Sequence, residues 1–373
     1  MNLFPELHKR YTEERLSARE AQRQAEFIAW APVVFQVSRL MVKWGILDML
    51  RDSREGLSEE EIAEKSGLSR YAVKCLLEAS LSIGTVLYSS PAGGGKEGAY
   101  VLSKTGWFLL NDPATRVNID FNHDVNYEGM FRLEESLKNG KPEGLRHFGN
   151  WTTVYEGLSS RPEQVQKSWF AFDHFYSDSS FPEALEIVFR KHKTRSLYDV
   201  GGNTGKWAMK CVEFDKDVEV TVLDLPQQVL LMQNNVNPNN NHNRIKGYGI
   251  DLLDENADFP EREGGIDAIW MSQFLDCFSE EQVVSILRRA KRVMTPQTRL
   301  YIMETLWDRQ RFEPAALCLT MTSLYFTAIA NGNSKMFHSE DLLRLIGEAG
   351  LRVEQIYDGL GQGHSILEVK SEE

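Results

Sequence analysis

From Ser196 onward the chain alternates short apolar strands with helical stretches, and this alternation constrains the fold more than any other feature of the sequence. The predicted strands are, in chain order, SLYDV, VEVTVLD, RIKGYGID, IDAIWMS, TRLYIMET, LRVEQIYDG and HSILEVK. This pattern predicts an α/β fold with a doubly wound sheet of parallel strands. In such a sheet a ligand binds at the carboxyl ends of the strands, where the first strand turns into its helix.

At that turn the sequence reads LYDVGGNTGKWAMKCVEF. Gly201, Gly202 and Gly205 allow the backbone to approach a ligand closely, and Asn203 is a residue type that tolerates left-handed geometry. The turn does not match the dinucleotide fingerprint G-x-G-x-x-G, because position 203 is Asn and position 206 is Lys. It also lacks the G-x-x-x-x-G-K-[ST] pattern of a Walker A loop. Neither of these nucleotide-binding motifs is therefore present.

Three acids stand at predicted strand ends: Asp199 before the glycines, Asp224 after VTVL, and Asp251 after KGYGI. Three carboxylates would repel a phosphate, whereas they would hold a cationic nucleoside that carries hydroxyl groups. S-adenosylmethionine fits that description. We expect Asp224 to accept both ribose hydroxyls, Asp251 to accept the adenine amine, and Asp199 to lie near the methionine end.

The first half of the chain is predicted to be helical. A helix is expected over Pro32 to Leu50, followed by a helix capped by Ser58 and Glu61 and another capped by Ser69. The apolar stripe of the first of these helices comprises Val34, Val37, Leu40, Met41 and Trp44. Two further strands, joined by the tip PAGGGKEG, complete a winged-helix module.

Winged-helix modules commonly bind DNA, but the charge of this chain argues against that function. The net charge is −12, and the second helix of the module carries only Arg70 and Lys74 as basic residues. We therefore predict that the module packs or dimerises, and that nucleic acid is not a partner.

The remaining composition indicates where the protein is found and which sites it lacks. The scattered cysteines 75, 211, 277 and 318 form no C-x-x-C pair and have no histidine at metal-ligand spacing, so reduced thiols and no metal site are expected. No stretch approaches about 20 apolar residues, and the N-terminus is too charged for a signal peptide. We predict a cytoplasmic protein without a membrane partner.

We divide the chain into three predicted segments. Residues 1–112 form the helical and winged-helix dimerisation domain, residues 113–180 a helical, aromatic-rich connecting segment, and residues 181–373 the cofactor-binding domain. The connecting segment contains FNHDVNYEGMF and WFAFDHFYSDSSF but no strand pattern. Such aromatic segments line ligand pockets, and ordinary core between domains is the alternative interpretation.

The motifs YDVGGNTG, VLDLP, GID, DAIWMSQFLDCFSEEQ and LYIMET, preceded by a winged-helix half, resemble those of a known family. It is the small-molecule O-methyltransferase family, which includes plant caffeate-type and bacterial natural-product enzymes. The resemblance runs from about Val37 to Val369. It implies a Rossmann-like class I S-adenosylmethionine-dependent methyltransferase sheet and a homodimer whose N-terminal halves swap into each other's active sites. The implied cofactor-binding residues are Asp199, Gly201, Gly202, Gly205, Asp224, Leu225, Asp251, Leu252, Ser272 and Gln273.

The sequence departs from this family where its general base is expected. After the fourth strand, family enzymes usually carry His-Asp-Trp, and the histidine removes the proton of the acceptor hydroxyl as the methyl group moves. This chain has Asp-Cys-Phe at positions 276–278. Glu304 matches the family acid that brackets the histidine, whereas the second bracketing acid falls on Ser339, beside His338.

Asp276 is the first candidate for the missing base. A phenol with a pKa of about 10 exceeds an ordinary carboxyl near 4 by roughly 6 units, or about 8 kcal/mol, against about 5 kcal/mol for an imidazole. Asp276 therefore needs burial to raise its pKa, unless it only orients the hydroxyl. Alternatively, it caps the helix that opens near Ser279. His174 and His338 are the candidate substitute bases.

The predicted acceptor is a small, aromatic, hydroxylated metabolite. A carboxylate acceptor needs no base, but its charge would lie against Asp276 and Glu304, so a phenol or an enol is favoured. The ortho carbon of an oriented phenol is also nucleophilic, which keeps C-methylation open beside O-methylation. Two other classes of function remain: a non-catalytic S-adenosylmethionine-binding protein and a winged-helix regulator.

Overall fold

The computed structural model describes residues 5–89, 96–157, 160–236 and 243–372. The chain divides into two compact units, one formed by Glu14–Asp124 and the other by Met1–Glu13 together with Val125–Glu373. The division into three segments with their roles in dimerisation, pocket lining and cofactor binding stays a prediction.

The smaller unit consists of helices and one short antiparallel ribbon. Helix α1 (Pro5–Thr12) precedes it and belongs to the larger unit. The elements of the smaller unit are α2 (Ala18–Ala29), α3 (Ala31–Lys43), α4 (Ile46–Arg51), α5 (Glu59–Ser66), α6 (Arg70–Ile83), β1 (Val86–Tyr88), β2 (Tyr100–Leu102), α7 (Lys104–Asn111) and α8 (Pro113–Phe121). Their core includes Met41, Ile46, Leu47, Ile62, Val73, Leu77 and Val86.

The predicted winged-helix elements are confirmed. Ser58 caps α5 through a capping box with Glu61, and Ser69 caps α6 by accepting a hydrogen bond from Ala72 N. Strands β1 and β2 pair antiparallel, with Leu87 opposite Val101. Residues 90–95 of the predicted wing tip lie outside the described residues, as do residues 237–242 of an asparagine-rich stretch, for which the sequence predicts a solvated loop.

The predicted helix over Pro32 to Leu50 is wrong in one respect, because it is two helices. Helix α3 ends at Lys43, and α4 begins at Ile46 after Gly45, whose φ of 70° is left-handed. A left-handed residue interrupts the right-handed backbone, and glycine adopts that conformation without steric cost. Of the predicted apolar stripe only Met41 is buried, and Trp44 remains 39% exposed.

The larger unit is built on one sheet. Its strands are β3 (Ser196–Val200), β4 (Glu219–Asp224), β5 (Ile245–Gly249), β6 (Ala268–Ser272), β7 (Arg299–Glu304), β8 (Leu351–Leu360) and β9 (His364–Ser371). Their spatial order is β5-β4-β3-β6-β7-β9-β8. The first five run parallel, as predicted. Of the last two, only β9 runs in the opposite direction, because it pairs antiparallel with both β7 and β8, and β8 therefore has the direction of the first five. Only a tight turn separates β8 from β9, and such a turn joins antiparallel neighbours alone.

Helices cover both faces of this sheet. Beside α1, the described helices of the larger unit are α9 (Leu133–Asn139), α10 (Val154–Gly157), α11 (Glu163–Ser177), α12 (Phe181–Arg190), α13 (Lys206–Phe214), α14 (Pro226–Val236), α15 (Glu280–Arg292), α16 (Glu313–Tyr325) and α17 (Ser339–Glu348). On β6, Ile269 and Met271 join the apolar cluster that includes α15 and α17. Ala268 and Trp270 join the cluster that includes α12, α13 and α14. This alternation confirms the predicted doubly wound α/β fold.

Short 3₁₀ and π segments connect these helices. The 3₁₀ segments are Gly129–Arg132, Glu143–His147, Asp178–Ser180, Leu275–Cys277 and Trp307–Arg309, and the π segments are Asn122–Asn126 and Phe326–Ala330. The cysteines at positions 75, 211, 277 and 318 are free thiols.

Within the described ranges, no single helix has the length and apolar character needed to cross a membrane. The pair α2 and α3, bent by 75°, meets that test by length and composition only.

Candidate active site

The turn between β3 and α13 has the left-handed geometry that its sequence predicts. Gly201, Asn203 and Gly205 have φ angles of 70°, 49° and 77°. A Cβ atom on Gly202 would lie 2.5 Å from Asp199 Oδ2 and 2.8 Å from a methyl group of Val222. The backbone therefore passes where a side chain has no room, and it can approach a bound molecule closely.

Asp224, at the end of β4, holds this turn in place. Its Oδ2 accepts a hydrogen bond of 2.8 Å from Asn203 N, and its Oδ1 accepts one of 2.7 Å from Leu225 N. Burial raises the pKa of the carboxyl, whereas these two backbone N–H groups lower it. A carboxylate has about four lone-pair sites, so each oxygen can accept a further hydrogen bond from a ligand hydroxyl.

Asp199, at the end of β3, is a buried acid with only partial compensation. It is 2% exposed, and its Oδ2 has no hydrogen-bond partner among the described residues. Burial, together with the negative charge of Asp224, raises its pKa to about 8, although a hydrogen bond from the backbone of Ala208 acts in the opposite direction. A buried carboxyl with one unpartnered oxygen calls for an explanation, and a cationic ligand is one. The tight glycine turn and the two acids fit S-adenosylmethionine, which carries ribose hydroxyls and positive charge.

The other predicted cofactor residues border the same strand ends. Asp251 is exposed and lies two residues beyond Gly249, the register partner of Asp224. Leu252 is buried in the apolar core. Ser272 ends β6, and Gln273 follows with a left-handed φ of 45° and a buried Oε1 that has no partner within the described part of the chain.

The segment after β6 is anchored by Glu304, at the end of β7. Glu304 is 1% exposed, and its Oε1 accepts hydrogen bonds from Phe274 N at 3.2 Å and Leu275 N at 3.0 Å. The Phe274 ring lies against the glycine turn, since a Cβ on Gly201 would be 2.3 Å from its Cδ2. The structure thus brings the predicted cofactor turn and the predicted catalytic segment together.

Asp276 lies in the 3₁₀ turn that follows, and it is 4% exposed. Burial raises its pKa to about 7, and the charge of Asp173 on α11 acts in the same direction. The alternative interpretation of Asp276 as a helix cap is wrong. Ser279 caps α15, and it does so through a capping box with Gln282.

A chain of hydrogen bonds from the aromatic segment leads to this carboxyl. The Tyr155 hydroxyl bonds the Cys277 sulfur, and Cys277 Sγ donates to Asp276 Oδ1 over 3.5 Å. Burial raises the pKa of the Cys277 thiol well above its usual range, which keeps it a donor. Asp276 is therefore the accepting end of the chain.

Two further aromatic residues, Trp169 and Tyr325, are neighbours of this chain of hydrogen bonds. Trp169 Nε1 donates to the Tyr325 hydroxyl at 2.8 Å, and the pKa of Tyr325, raised by burial, also responds to the charges of Cys277 and Asp173. Neither these residues nor Tyr155 and Asp173 were singled out from the sequence. For Tyr155, Trp169 and Asp173 the only signal is the aromatic content of the segment 113–180 and its predicted place beside a pocket, and no signal indicates Tyr325, which lies on α16.

The two candidate histidines lie in different surroundings. The His174 ring stacks on Phe170, and its Nδ1 lies 4.0 Å from Asp173. His338 caps α17, because its Nδ1 accepts a hydrogen bond of 3.1 Å from Glu340 N. The proton of a neutral imidazole bonded in this way is on Nε2, so His338 has no lone pair free to act as a base.

Ser339 stands where the family has its second bracketing acid, and it is hydrogen-bonded to Asp308. Ser339 Oγ donates to Asp308 Oδ2 at 2.5 Å, and Ser339 N donates to Oδ1 at 2.8 Å. Throughout the described ranges, no group of three or more His, Cys, Asp or Glu side chains is placed to hold a metal ion.

Comparison with known proteins identifies two domains. Residues 163–352, more than half of the chain, match the O-methyltransferase domain, and residues 22–92 match the Dimerisation2-like domain. Acetylserotonin O-methyltransferase of Gallus gallus is 22% identical over 329 residues, which cover 86% of this chain and 90% of that protein.

Two solved structures are similar in fold over nearly the whole chain. The apo form of the S-adenosylmethionine-dependent methyltransferase SibL superposes with a TM-score of 0.68 at 22% identity, covering 93% of this chain and 98% of that one. Human N-acetylserotonin methyltransferase in complex with S-adenosylmethionine gives 0.65 at 17% identity, covering 97% and 99%.

Proposed function

We propose that this chain, which belongs to the O-methyltransferase domain family, methylates the hydroxyl group of a small phenolic acceptor. The chain is an S-adenosylmethionine-dependent methyltransferase of small molecules. The acceptor class and the roles of individual residues are our proposal.

The observation that carries the proposal is the burial of Asp276. A carboxyl with a pKa of about 7 lies about 3 units below a phenol near 10, which corresponds to about 4 kcal/mol. An ordinary carboxyl would be about 8 kcal/mol away. Burial thus makes this carboxyl a base comparable to the imidazole that it replaces, and the carboxylate form is populated at neutral pH.

Each nearby group has a separate task. Asp276 accepts the proton of the acceptor hydroxyl, and the thiol of Cys277, bonded to Tyr155, orients the carboxyl. Glu304 is a positioning residue, because it binds the backbone of Phe274 and Leu275.

The cofactor is held by the glycine turn together with Asp199 and Asp224. S-adenosylmethionine supplies an electrophilic methyl group bonded to a sulfonium. A dry, preorganised cavity favours attack on that methyl group by holding the acceptor oxygen in line with it.

We expect the rate of methyl transfer to fall as the pH drops through about 7. The proton acceptor must be deprotonated, and the raised pKa of Asp276 places that transition near neutrality. The measurement is kcat/KM against pH for an accepted phenol, with the product identified by proton NMR as a methoxy or an aryl methyl group.

Repeating the pH profile at two temperatures separates a carboxyl from a histidine, because the pKa of imidazole falls on warming and that of a carboxyl hardly changes. A methoxy product with a temperature-independent acid limb supports the proposal. A flat profile, a limb that moves with temperature, or an aryl methyl product contradicts it.

We also propose that the chain forms a homodimer through the smaller unit. Around the bend between α2 and α3, the side chains of Phe27, Ile28, Trp30 and Val33 are between 41% and 65% exposed. We call these four residues the Trp30 patch. Exposed apolar groups of this kind mark association surfaces, and they lie within the match to the Dimerisation2-like domain.

Light scattering at micromolar concentration is expected to give twice the chain mass of 42.7 kDa. Changing Ile28 and Trp30 together to Glu is expected to shift the protein to monomer, because charges at an apolar interface lose hydration without gaining partners. Leu230→Glu alters an apolar residue that is 63% exposed on α14 and serves as the control. A monomeric wild-type protein would contradict the proposal.

A further inference from the structure

Arg161 is a buried cation that the structure leaves without a partner. The residue is 4% exposed, and its Nε, Nη1 and Nη2 atoms are all buried without a hydrogen-bond acceptor among the described residues. A guanidinium carries five N–H donors and stays protonated in proteins. Burying such a charge unpaired is costly, so the arrangement calls for a negatively charged partner that the described residues do not supply.

The immediate surroundings compensate only a small part of that cost. The guanidinium carbon lies 4.5 Å from the centre of the Phe148 ring, and a cation–π contact of this kind is worth about 0.5 to 2 kcal/mol. Burial lowers the pKa of Arg161, and Tyr325 opposes that shift. The three guanidinium nitrogens still have no acceptor in the part of the chain that the structure describes.

The guanidinium is close enough to Tyr325 for each group to influence the pKa of the other. Arg161 lies two residues before α11, the helix that carries Trp169 and Asp173. The Tyr325 hydroxyl accepts a hydrogen bond from Trp169, and the charges of Cys277 and Asp173 raise its pKa whereas that of Arg161 lowers it. Cys277 in turn donates a hydrogen bond to Asp276. Arg161 and the proposed base thus both have a neighbour that acts on Tyr325 or is acted on by it.

We propose that Arg161 binds a carboxylate of the acceptor, which makes the acceptor an aromatic hydroxy acid. This inference rests on the proposed function. The planar fork of arginine pairs with a carboxylate through two parallel hydrogen bonds. One guanidinium neutralises one negative charge, so the site suits a monoanion rather than a dianion, because Asp173 and Asp276 add no positive charge.

This arrangement also removes an objection to an acidic acceptor. A carboxylate presented to Asp276 and Glu304 would be repelled by their charge. With the carboxylate bound at Arg161, the hydroxyl of the same molecule is the group that faces Asp276. The reaction then remains methylation of a hydroxyl group, and the acid provides binding and orientation.

The test compares matched pairs of ligands on the protein loaded with S-adenosylhomocysteine. The probes are 3- and 4-hydroxybenzoate and hydroxynaphthoates, each beside its primary amide, which has the same shape and no charge. Calorimetry is expected to show at least one acid binding about thirtyfold tighter than its amide. Arg161→Gln is expected to reduce that preference to less than about threefold, whereas Lys167→Gln, which removes an exposed charge from α11, is expected to keep it.

The fold of the variants is checked by thermal melting without ligand. Arg161→Met removes an unpaired buried charge, so its melting temperature is expected to equal or exceed that of the wild-type protein. A lowered melting temperature would show that Arg161 is structural and would overturn the inference. Equal binding of acids and amides to the wild-type protein, or an unchanged acid preference in Arg161→Gln, would overturn it as well.

These outcomes are distinct from failure of the proposed function. Methylation of neutral phenols without any preference for acids would leave the proposed function intact and remove the inference. Tight binding of an acid through Arg161 without methyl transfer to its hydroxyl would support the role of Arg161 and refute the proposed acceptor.

Discussion

Asp276→Asn is expected to lower the rate of methyl transfer at least about a hundredfold while leaving the affinity for S-adenosylmethionine nearly unchanged. An amide has nearly the shape of the carboxylate, but it cannot accept the proton of a phenol. The cofactor residues Asp199 and Asp224 belong to other strands, so they keep their positions. The measurements are single-turnover rates and calorimetry on the same preparation.

The matched control is Asp258→Asn, which removes an exposed carboxyl that pairs with Arg292. Its rate is expected to equal that of the wild-type protein. Loss of the acid limb in the pH profile of Asp276→Asn would further assign that limb to this residue. Full activity of Asp276→Asn, combined with loss in His174→Ala or His338→Ala, would show that a histidine is the base.

The second large effect is expected at Asp224. Asp224→Ala should weaken binding of S-adenosylhomocysteine at least about tenfold, because a charge-assisted contact to two hydroxyls is worth about 1.5 to 3 kcal/mol. The same change frees Asn203 N and Leu225 N, which the carboxylate holds at 2.8 and 2.7 Å. Loss of these two backbone hydrogen bonds loosens the glycine turn, which weakens binding further.

Asp217→Ala is the control, since Asp217 is exposed and precedes the opposite end of β4. Asp224→Asn separates the two contributions, because an amide oxygen can still accept one backbone hydrogen bond while the charge is lost. Unchanged affinity in Asp224→Ala, measured by calorimetry on a variant that melts within a few degrees of the wild-type protein, would refute the role of Asp224.

The predicted strands agree with the structure to within about two residues at most ends, because short β-branched runs bounded by polar turns leave little choice of register. The sequence-based predictions are wrong at two points where a single turn decides whether the chain continues or changes direction. Gly45 breaks a helix that the apolar spacing extends, and the turn after Leu360 reverses a strand that the pattern alone leaves parallel.

The candidate site shows the same limit. Asp199 and Asp224 lie at strand ends and Asp276 lies just after one, so the sequence locates them, since strand ends of a parallel sheet meet at one edge. Tyr155, Arg161 and Trp169 come from helical segments without a periodic signal. Trp169 reaches Tyr325 of α16 only through tertiary packing, and no spacing rule encodes that packing.

The hydrogen bonds of Glu304 have a consequence for how such a site changes over evolutionary time. Glu304 binds the main chain of residues 274 and 275, and Ser279 fixes the start of α15 just beyond. The path of the backbone between these two anchors does not depend on the side chain at position 276. The side chain at position 276 can therefore change while the backbone of the loop stays the same. On the proposed role of Asp276, a histidine and an aspartate can exchange at this position without rebuilding the loop, and the choice between them would match the base to the acidity of the acceptor.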